Sequence, residues 1–136
     1  MILGITGSRN KPTIEQFKSF CSIFTELSPV EFHHGCCTGV DTVTSRLVSS
    51  SDPGIVIVGH PPIITTNIGK YKSNYNWEPK DYLVRNKDIV KSSEVMIAMP
   101  PTEFEVLRSG TWATIRYAQK TNTKLYIIKP DGTYEK

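Results

Sequence analysis

No stretch of this 136-residue sequence approaches the roughly 20 consecutive apolar residues that a membrane-spanning helix needs. Its first residues also lack the basic-then-apolar pattern of a signal peptide. Cysteine is scarce and odd in number: Cys21, Cys36 and Cys37, two of them adjacent. That excludes a disulfide framework as the main organising device and points to reduced thiols in a cytoplasmic setting. Charge imbalance is small, with 16 Lys and Arg against 13 Asp and Glu. The broad basic footprint of a nucleic-acid binder is therefore missing, and single-strand binding is disfavoured. There are no internal repeats and no linker dividing the chain. The expectation is one domain spanning residues 1–136, long enough for one core and too short for two.

What is present is alternation. Ile2–Thr6 is a short apolar run bounded by glycine, Val30–His34 reads as a second strand, and Ile55–Val58 is a continuous β-branched run. Between the first two, Ile14, Phe17, Cys21, Phe24 and Leu27 recur at helical spacing behind a Thr13-x-x-Gln16 capping-box pattern. Val40–Ser50 reads as a second helix. Residues 60–80 then break the pattern: they are aperiodic and rich in Pro, Asn, Lys and aromatics. Such a segment reads as a structureless loop or a lid. Its Tyr71, Tyr75 and Trp77, interleaved with Lys70, Lys72 and Lys80, would offer a stacking surface or fold back on the sheet. Regular structure resumes with a helix over Asp81–Ser92, a strand at Glu94–Met99, a helix over Gly110–Lys120 and a strand at Lys124–Lys129. Alternation of this kind predicts an α/β fold, a Rossmann-like domain with a five-stranded parallel sheet in the order 3-2-1-4-5 and helices on both faces.

Three glycine-bearing turns mark the expected site. They are Gly7-Ser8-Arg9-Asn10, Gly35-Cys36-Cys37-Thr38-Gly39, and Ser109-Gly110-Thr111. Each follows a strand and opens a helix or leads to one, so backbone N–H groups and helix dipoles converge where a phosphate would sit. In an open α/β sheet that place is a crevice at the carboxyl ends of the strands. Ser8 and Arg9 suit phosphate oxygens, Arg9 through a forked guanidinium. Gly35 and Gly39 permit close backbone approach, and Thr38 is a plausible N-cap. Asp41 can accept from a sugar hydroxyl or cap its own helix. In the Asp81–Ser92 helix, Tyr82, Leu83, Ile89 and Val90 form the expected inward stripe. Asn86 falls within that stripe and must find partners, while Arg85 points at the crevice. A metal reading of His33, His34, Cys36 and Cys37 matches no standard zinc spacing, and strand alternation sends the two histidines to opposite faces.

Gly7-Ser8-Arg9, His34 to Asp41, Arg85-Asn86-Lys87-Asp88 and Gly110-Thr111-Trp112 occur in the order and spacing of the SLOG superfamily. The chain resembles small stand-alone bacterial and phage members of that Rossmann-like group, which contains the Lonely Guy phosphoribohydrolases and the DNA-processing protein DprA. The resemblance implies a nucleotide-derived ligand held by Gly7, Ser8, Arg9, Gly35, Thr38, Gly39, Asp41, Arg85, Asn86, Ser109, Gly110 and Thr111. No metal, no cofactor and no membrane association are expected, and a homo-oligomer is. Lonely Guy enzymes carry a glutamate that assists N-glycosidic cleavage where this chain has Thr114. Glu103 and Glu105, in the stretched Pro100–Arg108 segment, are the remaining catalytic candidates. The leading expectation is a non-catalytic nucleotide sensor or sequestering protein. The alternative is an N-glycosidase acting on nucleoside 5′-monophosphates.

Overall fold

The Thr13/Gln16 pattern does what its spacing predicts. Thr13 Oγ1 accepts the Gln16 N–H (3.0 Å) and Gln16 Oε1 accepts the Thr13 N–H (3.1 Å), opening helix α1 (Ile14–Leu27). The same Gln16 amide then donates to the carbonyls of Pro100 (2.8 Å) and Ile128 (3.0 Å). One capping residue thus ties the helix to the ends of two strands.

The computed structural model describes residues 1–136. Around α1 stand β1 (Ile2–Gly7), β2 (Glu31–His34), α2 (Val40–Ser51), β3 (Val56–Gly59) and β4 (Tyr75–Asn76). They are followed by α3 (Tyr82–Ser92), β5 (Val95–Met99), α4 (Gly110–Lys120), β6 (Lys124–Ile128) and β7 (Tyr134–Glu135). The fold is a mixed α/β domain with a sheet dominated by parallel pairs. The sheet has seven strands where five were expected, and its order, β4-β3-β2-β1-β5-β6-β7, differs accordingly. The differences lie at the edges. Two-residue β4 adds parallel to β3, and two-residue β7 folds back antiparallel on β6. Neither is long enough to leave an alternating pattern in the sequence.

Helices on two faces explain the continuous apolar runs. On one face Phe20 and Ile23 of α1 and Val48 of α2 pack on Leu3, Ile5, Phe32 and Ile57. On the other, Ile89 and Val90 of α3 and Trp112 and Ile115 of α4 pack on Met96, Ala98, Leu125 and Ile127. All five residues of β5 are buried, as a central strand covered on both sides requires. Each buried Leu, Ile or Phe side chain contributes about 1.5–3 kcal/mol relative to exposure. One member of the expected α3 stripe is misplaced: Leu83 is 54 % exposed, because the inward arc of the helix runs through Arg85, Asn86, Ile89 and Val90.

Residues 60–80 are not structureless. The outer edge of β3 has backbone groups that need partners, and this segment supplies them. Asn74 N–H donates to the Ile57 carbonyl (2.7 Å) and Trp77 N–H to that of Gly59 (2.8 Å). Asn74 Oδ1 accepts the Ile57 N–H (2.6 Å). The aromatics follow the backbone to that edge. The Trp77 ring lies 4.3 Å from His60, and the Tyr71 ring lies 5.2 Å edge-on to His34, its hydroxyl accepting from Asn76 Nδ2 (2.9 Å). Tyr75 is 52 % exposed on β4. None of the three lines the crevice described next.

Candidate functional site

The first two glycine turns are stitched into one structure. Val40 N–H at the start of α2 donates to the Ser8 carbonyl (3.1 Å), and Thr38 Oγ1 donates to the carbonyl of Arg9 (3.1 Å). Gly39, at φ +83°, caps α2, and a Cβ there would collide with the Arg9 carbonyl. Glycine is required at that position by both conformation and space. The joint consumes polar groups assigned to a ligand from sequence. Ser8 Oγ accepts the Asn10 N–H (2.9 Å), and Thr38 N–H donates to the Asn67 carbonyl (2.9 Å). Thr38 is also not the N-cap; Gly39 is.

Above the joint, at the carboxyl ends of β1 and β2, lies a small cavity of about 20 Å³. Gly7, Arg9, Gly35, Asp41, Arg85 and Asn86 line it. Half of the residues expected at the site therefore meet in one place. Arg9 from the first turn and Arg85 from α3 both lie over the ring of Tyr82, at 5.6 Å and 4.8 Å from its centre.

The two arginines are chemically distinct. Arg85 is buried and its donors are largely spent inside the protein. Its Nε donates to Asn86 Oδ1 (2.6 Å), Nη1 to the carbonyls of Gly35 and His60 (the latter at 3.2 Å), and Nη2 to Cys37 Sγ (3.6 Å). It anchors the second turn to α3 and has little left for a ligand. Asn86 orients that guanidinium with its oxygen, and the residue also lines the crevice. Arg9 is exposed, and its guanidinium makes no ion pair in the protein. Its fork of donors is free.

Asp41 sits between these groups, buried in the first turn of α2. Burial pushes its carboxyl up to about 6, against the pull of the Arg85 guanidinium and the N–H groups of Cys37 (3.2 Å) and Gly35. The carboxyl thus changes charge near neutral pH inside the crevice.

The third turn stands apart. Ser109 Oγ caps α4 by accepting the Trp112 N–H (3.3 Å), and Thr111 is buried. A Cβ on Gly110 would collide with the Tyr82 hydroxyl, so this phenol separates Ser109, Gly110 and Thr111 from the arginine crevice. Thr114 donates to the Gly110 carbonyl (3.0 Å) and lines a groove between α3 and α4. Glu103 is exposed and Glu105 is paired with Arg116, so neither reaches the crevice.

Sequence reasoning missed the outer half of the site. Arg9, Cys37 and Tyr82 also line a second cavity of about 110 Å³, with Pro62, Ile63, Ile64, Asn67 and Asp81. The two cavities share those three residues and so adjoin, one lined largely by polar groups and the other largely by apolar ones. Its new wall comes from the aperiodic 60–80 segment. The backbone bonds Thr38 N–H to Asn67 O (2.9 Å) and Gly69 N–H to Cys36 O (3.1 Å) hold that segment in place.

The histidines and vicinal cysteines do not converge. His33 Nε2 bonds Glu31 (2.6 Å) and its Nδ1 bonds His60 Nε2 (2.7 Å), on the α3 side of the sheet. His34 faces the other side, accepting from Cys36 N–H (3.0 Å) and bonding the Lys72 carbonyl (2.9 Å). Burial holds His34 near 4 and His60 near 3, and pushes the Cys36 thiol up to about 12. No helix is long and apolar enough to cross a membrane.

No family model matches this sequence, and no curated protein matches it. Solved structures do. One is the molybdenum cofactor binding protein of Rippkaea orientalis, with a TM-score of 0.70 and 19 % identity over 94 % of this chain and 76 % of that one. Another is TM1055, a structural genomics target, at 0.63 and 14 % identity over 91 % of this chain and 71 % of that one. A third is DNA processing protein A from Helicobacter pylori, described for its single-stranded DNA binding mode. It scores 0.61 at 19 % identity over 93 % of this chain and 64 % of that one. At these identities the likenesses show the fold alone, a Rossmann-like α/β domain.

Proposed function

We propose that the crevice binds a nucleotide or nucleotide-derived molecule without turning it over, as a sensor or sequestering protein would. The observation that carries this reading is the two-part cavity sharing Arg9, Cys37 and Tyr82. A nucleotide has the matching division: a charged phosphate at one end and a flat apolar base at the other. Arg9 is the phosphate ligand, because its donors are free and a guanidinium fork matches two phosphate oxygens. Asn86 and Gly7 complete the lining of the polar end. The cofactor-binding neighbour of the same fold supports a small-molecule ligand.

Titration calorimetry with nucleoside 5′-monophosphates and the corresponding nucleosides tests the reading. Arg9→Ala should weaken nucleotide binding by about 1.5–3 kcal/mol, the range for a hydrogen bond to a charged group. It should leave nucleoside binding and the melting temperature unchanged. Nucleosides binding as tightly as nucleotides would defeat the assignment of the phosphate end.

Absence of turnover is expected because Glu103 and Glu105 stand away from the cavity. The N-glycosidase alternative would have to use Asp41, whose carboxyl near 6 suits a general acid. Chromatography for free base after incubation with each monophosphate separates the two. Base release abolished by Asp41→Asn would establish the enzyme.

A further inference from the structure

The apolar half of the crevice carries two polar groups that the proposed phosphate end does not use. Asp81 precedes α3 as its N-cap, the place where a carboxylate ordinarily accepts an N–H of its own helix. Here it makes no such bond, nor any ion pair. It lines a cavity together with Pro62, Ile63, Ile64 and Tyr82, and the half-buried Asn67 lines the same cavity. The walls suit a flat apolar ring. The ionised carboxylate only accepts, from two oxygens, whereas the amide of Asn67 both accepts and donates.

Few heterocycles satisfy this arrangement. Adenine places an acceptor nitrogen beside its single amino group, so one carboxylate oxygen would face a lone pair. Cytosine has the same defect, and uracil flanks its one ring N–H with two carbonyls. Guanine alone among the common bases places a ring N–H next to an exocyclic amino group, two donors side by side. Its neighbouring carbonyl is an acceptor for an amide N–H.

We infer that the base compartment selects the 2-amino-oxo edge of guanine, with Asp81 accepting both donors and Asn67 donating to the ring carbonyl. This rests on the nucleotide reading above and assigns its ligand class. The phosphate lies toward Arg9, and the ring faces lie against Ile63, Ile64 and the Tyr82 ring. A pterin bearing a phosphate presents the same edge, so the shared chemistry is the pairing of adjacent N–H and NH₂ donors with a carbonyl.

The test is calorimetric titration of the intact chain with GMP, IMP, XMP, AMP and a pterin monophosphate. GMP should bind about 5- to 150-fold more tightly than AMP, the discrimination typical of one bidentate pair. IMP, lacking the amino group, should fall between them. Comparing GMP with the pterin identifies which carrier of the edge is preferred. Asp81→Asn should reverse the order of GMP and XMP, because an amide donates to the 2-oxo group that a carboxylate repels. The side chain makes no bond within the protein, so the variant should keep the wild-type melting temperature. GMP and AMP binding within twofold of each other, or an unchanged GMP-to-XMP ratio in Asp81→Asn, would overturn the base assignment alone. Binding of none of these phosphates would overturn the nucleotide reading and this inference with it.

Discussion

Acidification from pH 6.5 to 4.5 should remove about 3 kcal/mol of folding stability, and three buried groups set that figure. His34 and His60 are held at about 4 and about 3 in the folded chain, down from 6.5. Asp41 is held at about 6, up from 3.8. At pH 5 the unfolded chain has bound about two protons on the histidines and almost none on the aspartate, while the folded chain has bound about one, on Asp41. Stability falls on acidification wherever the unfolded state binds more protons, here by about one. One proton is worth about 1.4 kcal/mol per pH unit, hence about 3 kcal/mol over the two units. That is a large share of the roughly 5–15 kcal/mol that holds a domain of this kind together. The histidines destabilise as pH falls below their unfolded value. Asp41 opposes them, since its neutral form is the one burial favours. Asp41→Asn removes that opposition and should roughly double the loss over the same window. Urea denaturation at pH 6.5, 5.5 and 4.5, with the slope m held constant, measures both numbers. A flat or rising stability on acidification, or the same pH slope in Asp41→Asn, would refute the burial argument.

Gly39→Ala forces a side chain into φ +83° against the Arg9 carbonyl, so it should cost about 1–3 kcal/mol and lower the thermal midpoint without a ligand present. Unchanged melting would mean that the joint between the first two turns is not what orders the crevice. Hydrogen exchange in the free protein should be slow at Gly69, Asn74 and Trp77, whose N–H groups are bonded, and fast at exposed Thr65 and Thr66. Uniformly fast exchange from 60 to 80 would contradict the ordering that the β3 edge contacts impose.

Local chemistry made much of the fold legible. The capping box at Thr13, the helical spacing of Ile14 to Leu27, and the apolar runs at Ile2–Thr6 and Val95–Met99 are decided by contacts within a few residues or by burial on both faces. The glycine turns were visible for the same reason: Gly39 needs a conformation that other residues resist. Two-residue strands leave no period to read, so β4 and β7 emerged only when β3 and β6 offered edges to pair with. The site divided along the same line. Arg9 and Arg85 look alike in sequence. Only the fold decided that Arg85 is spent on Gly35, His60, Cys37 and Asn86 while Arg9 stays free. Tyr82 was visible as one more apolar position on a helix. Its place between the arginines and Gly110 depends on where α3 docks. The apolar half of the crevice was invisible, because Pro62, Ile63, Ile64 and Asn67 carry no local pattern. They become a wall when long-range backbone bonds pin residues 67 and 69 to the Cys36–Thr38 turn. Sequence determined which segments were stiff, capped or able to turn, since those properties are local. The tertiary structure decided which polar groups remain unspent, since that depends on partners far along the chain.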